Sequence, residues 1–162
     1  MTDTKTTTTL HDAPVGVRAK LAAAWTGFMF LYIYVDHLGL YKPGFIDDIL
    51  AGLVFEFDIS QTFVVIALTS AAIPMFMILL SMTMPARVNR AINLVVATLL
   101  IPWMAFNLAG GEWMAFYGLG LALEVLLLAF ILRTAWTWPQ LATSRTATER
   151  VATRRAVGTS AG

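Results

Sequence analysis

Between Ile59 and Ala86 the chain carries no charged residue. A helix needs about 20 apolar residues to cross a hydrocarbon layer, so this run is long enough to span one. The rest of the sequence agrees with it. Hydrophobic residues make up 58% of the chain and charged residues 13%, where a soluble domain is nearer half apolar and a quarter charged. That composition excludes a soluble enzyme domain and a nucleic-acid binder. It points to a small polytopic membrane protein.

Four spans are predicted, over about residues 21–41, 60–82, 90–107 and 113–135. The first is uncharged from Leu21 to Val35, then meets Asp36 and His37, and ends before Pro43 and Gly44. Proline cannot continue the helical bonding and glycine permits a turn. In the second span Pro74 should kink the helix and free a backbone carbonyl near Ser70. The third carries Pro102, and Leu108 to Trp113 make a tight turn. The fourth is interrupted by Glu124 alone and ends at Arg133, Trp136 and Trp138. Those are residues that favour the headgroup region.

Between spans one and two, Ile46, Ile49, Leu50, Leu53, Val54 and Phe57 recur at three- and four-residue spacing, with Asp47, Asp48, Ala51 and Gly52 on the other face. The pattern predicts an amphipathic helix of about three turns, lying in the interface or covering the bundle. The fold class expected is all-α, a four-transmembrane-helix bundle with this short interfacial helix. The membrane domain runs over 18–138. Residues 1–17 form a Thr-rich tail expected to be disordered and uncleaved, leaving span one as a signal anchor. Residues 139–162 form a second, basic tail expected to be disordered.

All of the 11 basic residues except Lys42 fall on one side of this arrangement: before span one, between spans two and three, or after span four. Positive residues mark the cytoplasmic side. Both termini are therefore expected in the cytoplasm of a cell bounded by a plasma (inner) membrane. Asp47, Asp48, Glu56, Asp58 and Glu112 give the opposite side a negative field.

Ionisable groups inside a span cost about 2.5–3.5 kcal/mol on insertion scales and mark function by default. Glu124 lies ~16 Å along the helix from Trp113, near mid-bilayer. It must face the bundle interior and needs a proton or a hydrogen-bond partner there. Ser70, Thr69 and Thr98 are at a depth to supply the bond. Asp36 and His37 lie ~6 Å below the outer surface. Asn107 and Tyr117 reach a similar depth, and Gln61 is close to it. Tyr117 and Glu124 share a helix face two turns apart, and Gly120 beside them is expected to leave room. The expected site is an outward-facing mouth of Asp36, His37, Asn107 and Tyr117 with Glu124 below it. Asp36 and Glu124 differ by ~10 Å in depth, too far for a direct pair. Asn93 and Asn107 read as helix-packing residues before ligands.

Other chemistries lack their residues. There is no Cys, hence no disulfide and no thiolate site. Met75, Met77, Met82 and Met84 sit two apart, which on a helix turns them in different directions, so they read as core or lipid-facing side chains. His11 and His37 cannot hold a haem in one monomer, and no Glu-x-x-His motif, phosphate loop or nucleophile elbow occurs. No cofactor and no metal are expected. Gly118-x-x-x-Ala122 and Ala67-x-x-x-Ala71 permit close helix approach.

The chain resembles a family of uncharacterised bacterial four-helix membrane proteins, a domain of unknown function. The resemblance lies in RAKLAAAW entering span one, DHLGLYKPGF at its end, the block AAIPMFMILLSMTMPARVNRAINLVVA, and a carboxylate inside LALEVLLL. It covers about residues 18–137. Relatives of this kind often have an acidic residue before the second-span proline; here it is Ile73. The resemblance implies the architecture and no activity.

The functional expectation is a non-enzymatic membrane protein that binds or translocates a small solute or proton, with Glu124 as the titrating group. Small four-span exporters work as homodimers around one buried carboxylate, an analogy of architecture only. The alternative is a structural or accessory subunit whose polar groups bond to a partner's helices. A membrane enzyme acting on lipid or quinone ranks last, because no nucleophile pair is present. Membrane lipid is the expected surrounding partner, with no nucleic acid.

Overall fold

A computed structural model describes residues 14–55, 57–107 and 113–139. Most of both predicted tails, His11, Glu56 and the turn over 108–112 with Glu112 lie outside the described residues, as does the side chain of Asn107. Five helices appear among them: α1 (Val17–Gly39), α2 (Phe45–Leu50), α3 (Gln61–Thr83), α4 (Ala86–Asn107) and α5 (Met114–Trp136). All but α2 are long and apolar enough to cross a membrane. The four-span all-α architecture predicted from hydropathy is therefore present.

Local chemistry sets the ends of these helices. Ser60 caps α3, its Oγ accepting from the Phe63 N–H at 3.1 Å; such caps satisfy amide groups that the first turn leaves open. Pro85 ends α3 and starts α4. Its ring forces Met84 into extended backbone (φ −71°, ψ 150°), and its carbonyl accepts the Asn89 N–H at 2.8 Å. The chain thus reverses within two residues. α4 begins a turn before the predicted Arg90, with Arg87 and Arg90 on its first turn and a half. α3 and α4 continue through Pro74 and Pro102.

The linker after α1 differs from expectation. The three-turn amphipathic helix stops at Leu50. Gly52 takes φ +88° and its N–H bonds to the Ile49 carbonyl at 3.0 Å, closing the helix in the left-handed way glycine allows. Leu53–Val54 then pair antiparallel with Phe57–Asp58. Val54, Phe55 and Phe57, β-branched or aromatic, suit that hairpin better than a third helical turn.

The four long helices alternate in direction. α1 packs against both α3 and α5, and α5 packs also against α4. Arg18 of α1 donates to the Met82 carbonyl at the end of α3 at 3.1 Å, and Arg90 of α4 sits 5.8 Å over the Trp136 ring of α5. These contacts gather the start of α1, the α3–α4 reversal and the end of α5 at one basic end.

Burial is uneven along the bundle. The fully buried large side chains Leu21, Trp25, Phe28, Met77, Leu128 and Ile131 all lie in the half nearest the basic end. In the other half, the first two turns and more of α3, from Gln61 to Thr69, bury no residue fully. The bundle is close-packed at one end and open at the other.

Candidate functional site

One stripe of α5 faces inward: Gly120, Glu124, Leu128, Ile131 and Ala135 are buried at three- and four-residue spacing. Glu124 belongs to it and is only 5% exposed. It makes no hydrogen bond to any described residue. The hydroxyls predicted to serve it are engaged or turned away. Thr69 donates to its own helix at the Val65 carbonyl (2.7 Å), Ser70 to the Ala67 carbonyl (2.8 Å), and Thr98 is exposed. No carboxyl or hydroxyl oxygen in the described residues is both fully enclosed and unbonded. The carboxyl oxygens of Glu124 are therefore not fully enclosed.

Two polar groups of α1 lie near Glu124. Asp36 of α1 lies within electrostatic reach of Glu124 without forming a direct pair. Tyr32, one turn before Asp36, feels both carboxyls, and its phenol reaches toward Ser70 of α3. Its ring stacks on Phe28 at 6.3 Å. Tyr32 and Asp36 line a cleft of about 290 Å³ between α1 and α3, walled opposite by Leu68, Ala71 and Met75. Tyr32 was not singled out in the sequence. The signal was its position four residues before Asp36, which puts both on one helix face.

The other predicted residues stand apart from this group. His37 is exposed and meets Tyr41 edge to face at 6.1 Å. Tyr117 is half-buried, its hydroxyl 3.1 Å from where a side chain on Gly39 would begin. Gly120, expected to leave room, is filled by Val35: a Cβ there would lie 2.8 Å from a Val35 methyl. That contact lies one turn from Tyr117 and one from Glu124, on the α1–α5 seam. The cleft that Tyr32 and Asp36 line is on the α1–α3 side instead, and Glu124 is not part of its wall. The Asn107 side chain lies outside the described residues.

A second polar group occupies the close-packed half. The Trp25 indole N–H donates to Asn93 Oδ1 at 2.7 Å. The Asn93 amide donates to Asn89 Oδ1 (2.7 Å) and to the Asn89 carbonyl (2.9 Å). The Asn89 amide donates to the Ser81 carbonyl at 2.6 Å. Trp25, Ser81, Asn89 and Asn93 are all buried. Each donor and acceptor has a partner, so this network ties α1, α3 and α4 together and offers no bond to a ligand. It places Asn93 in the packing role expected. Met77 lies in the core, while Met75 and Met82 are exposed.

No curated protein and no solved structure matches the chain. Residues 15–144 match a family of unknown function (DUF6326), with the four apolar helices inside the matched segment, and the chain belongs to that family.

Proposed function

We propose that this chain is an integral, four-span protein of a bacterial inner membrane that binds a small cationic solute or a proton at Glu124, with Asp36 and Tyr32 forming the way in. The observation that carries this reading is a mid-span carboxyl, nine-tenths buried, with no hydrogen-bond partner among the described residues. A structural carboxyl in a membrane bundle is retained for the bonds it makes. One without them is a binding group. The second carboxyl at Asp36 supports a positively charged ligand, since two carboxylates repel unless a proton or cation sits with them. The apolar walls of the α1–α3 cleft suit a lipophilic cation. Val35 on Gly120 closes the α1–α5 seam between Tyr117 and Glu124, so in this reading the ligand enters by the α1–α3 cleft that Tyr32 and Asp36 line.

Tetraphenylphosphonium tests the site. It should quench the tryptophan fluorescence of purified wild-type protein in neutral detergent, saturably. Glu124→Gln should weaken this binding at least tenfold, and Asp36→Asn several-fold. Equal affinity in wild type and Glu124→Gln would remove Glu124 from the site.

The orientation has its own test. The chain has no Cys, so single cysteines report sidedness cleanly. In intact cells a membrane-impermeant maleimide should label Asp47→Cys and spare Arg87→Cys until the membrane is opened. The reverse pattern would invert the topology read from the basic residues.

A further inference from the structure

At the basic end, α1 and α5 part around a groove of about 770 Å³. Ala23 and Ala24 on α1 and Leu127 and Phe130 on α5 wall it toward mid-span, and Lys20 and Arg133 line it nearer the helix ends. From Val17 to Ala24 it runs ~10 Å along the helix axis at 1.5 Å per residue, so one ligand can meet both the cations and the apolar wall.

The cations themselves are uncommitted. Arg18 is held by the Met82 carbonyl and Arg90 by the Trp136 ring. The side chains of Lys20 and Arg133 have neither an ion pair nor a hydrogen bond among the described residues. The acids of the described residues, Asp36, Asp47, Asp48, Asp58 and Glu124, all lie at mid-span or toward the opposite end. A second copy packed alongside in the same orientation would bring none of them to this groove.

We propose that the groove holds one anionic phospholipid of the leaflet at the basic end. Its phosphate sits between Lys20 and Arg133, and an acyl chain lies along Ala23, Ala24 and Leu127. Basic pockets between membrane helices bind acidic lipid headgroups through the same pairing of charges. The apolar wall continuing past the cations selects a lipid over a free anion. The proposal rests on the chain spanning a bilayer, but not on the role of Glu124.

Native mass spectrometry of the full chain in neutral detergent tests it, after incubation with equal amounts of dioleoylphosphatidylglycerol and dioleoylphosphatidylcholine. Wild type should retain one phosphatidylglycerol. Lys20→Gln and Arg133→Gln should each lower retention about fivefold, as expected for a basic residue close to anionic lipid. Arg133→Lys should keep the lipid. Ala23→Phe, which fills the acyl track without changing charge, should lower retention too. Arg87→Gln, at the same end but outside the groove, should not. Helix content by circular dichroism separates lost binding from lost folding. Equal retention of both lipids, or an equal loss in Arg87→Gln, would overturn the site. So would full competition by glycerophosphoglycerol, the headgroup alone, or a protein dimer that excludes lipid. Glu124→Gln should keep its phospholipid, so the two sites fail independently; release of the protein from membranes by alkaline carbonate would remove the spanning reading beneath both.

Discussion

Trp25→Ala is expected to destabilise the bundle by about 3 kcal/mol or more, the largest effect of any single change here. Truncating a buried Trp to Ala costs about 3–5 kcal/mol, because neighbours only partly fill the cavity. Trp25 is fully buried and stands edge to face with Phe28 at 5.8 Å, so its removal also strips an aromatic contact. In addition, Asn93 Oδ1 loses its short bond and keeps only the 3.5 Å approach of the Ser81 hydroxyl. Trp25→Phe isolates that last part. It keeps most of the ring and drops the N–H, and should cost about 1 kcal/mol, in line with the modest worth of hydrogen bonds between membrane helices. Asn93→Leu should cost more than Trp25→Phe, since it leaves both the indole N–H and Asn89 Oδ1 open. Unfolding titrations in mixed micelles give the order directly. If Trp25→Phe proved as harmful as Trp25→Ala, the hydrogen bond rather than packing would dominate.

Gly120→Ala should be the second most damaging. Alanine normally stabilises a helix relative to glycine by about 1 kcal/mol, so a loss would run against propensity. Here the added methyl would lie 2.8 Å from one Val35 methyl and 3.4 Å from the other. Overpacking of this kind costs about 1–3 kcal/mol as the helices are pushed apart. The double variant Gly120→Ala with Val35→Ala is the decisive arm. It leaves only an ordinary contact to the Val35 Cβ at 3.8 Å, so it should recover most of the loss, with a coupling of about 2 kcal/mol. Additive losses would mean that the two residues do not meet.

The four spans and their alternation were legible because hydropathy and the placing of charge are read along one helix at a time. Glu124 was legible for the same reason: a carboxyl in an apolar run must turn inward. What failed depended on two helices at once. Gly120 looks like free space along α5 and becomes a seam only when Val35 is set against it. Tyr32 looks like one aromatic among several until α3 brings Ser70 beside it. Trp25, Asn89 and Ser81 went unremarked, although Asn89 and Asn93 sit four apart on one face. Their meaning lies in closing a network across three helices. The linker failed for a local reason. Its apolar residues keep helical spacing past Leu50, but Gly52 in left-handed backbone ends the helix before that spacing can count.

The indole bond also bears on the order in which the protein is made. Trp25 and Asn93 are separated by 68 positions in the chain. At synthesis rates of about 5–20 residues per second, roughly 3–14 s pass between the two leaving the ribosome. During that interval the first helix exists with its indole donor unanswered, and so does the second with Ser81 turned toward a neighbour not yet made. The bonds among Trp25, Ser81 and Asn93 cannot form until α4 arrives. The bundle closes later still, because α1 and α4 both pack against α5, the last of the four long helices to be made.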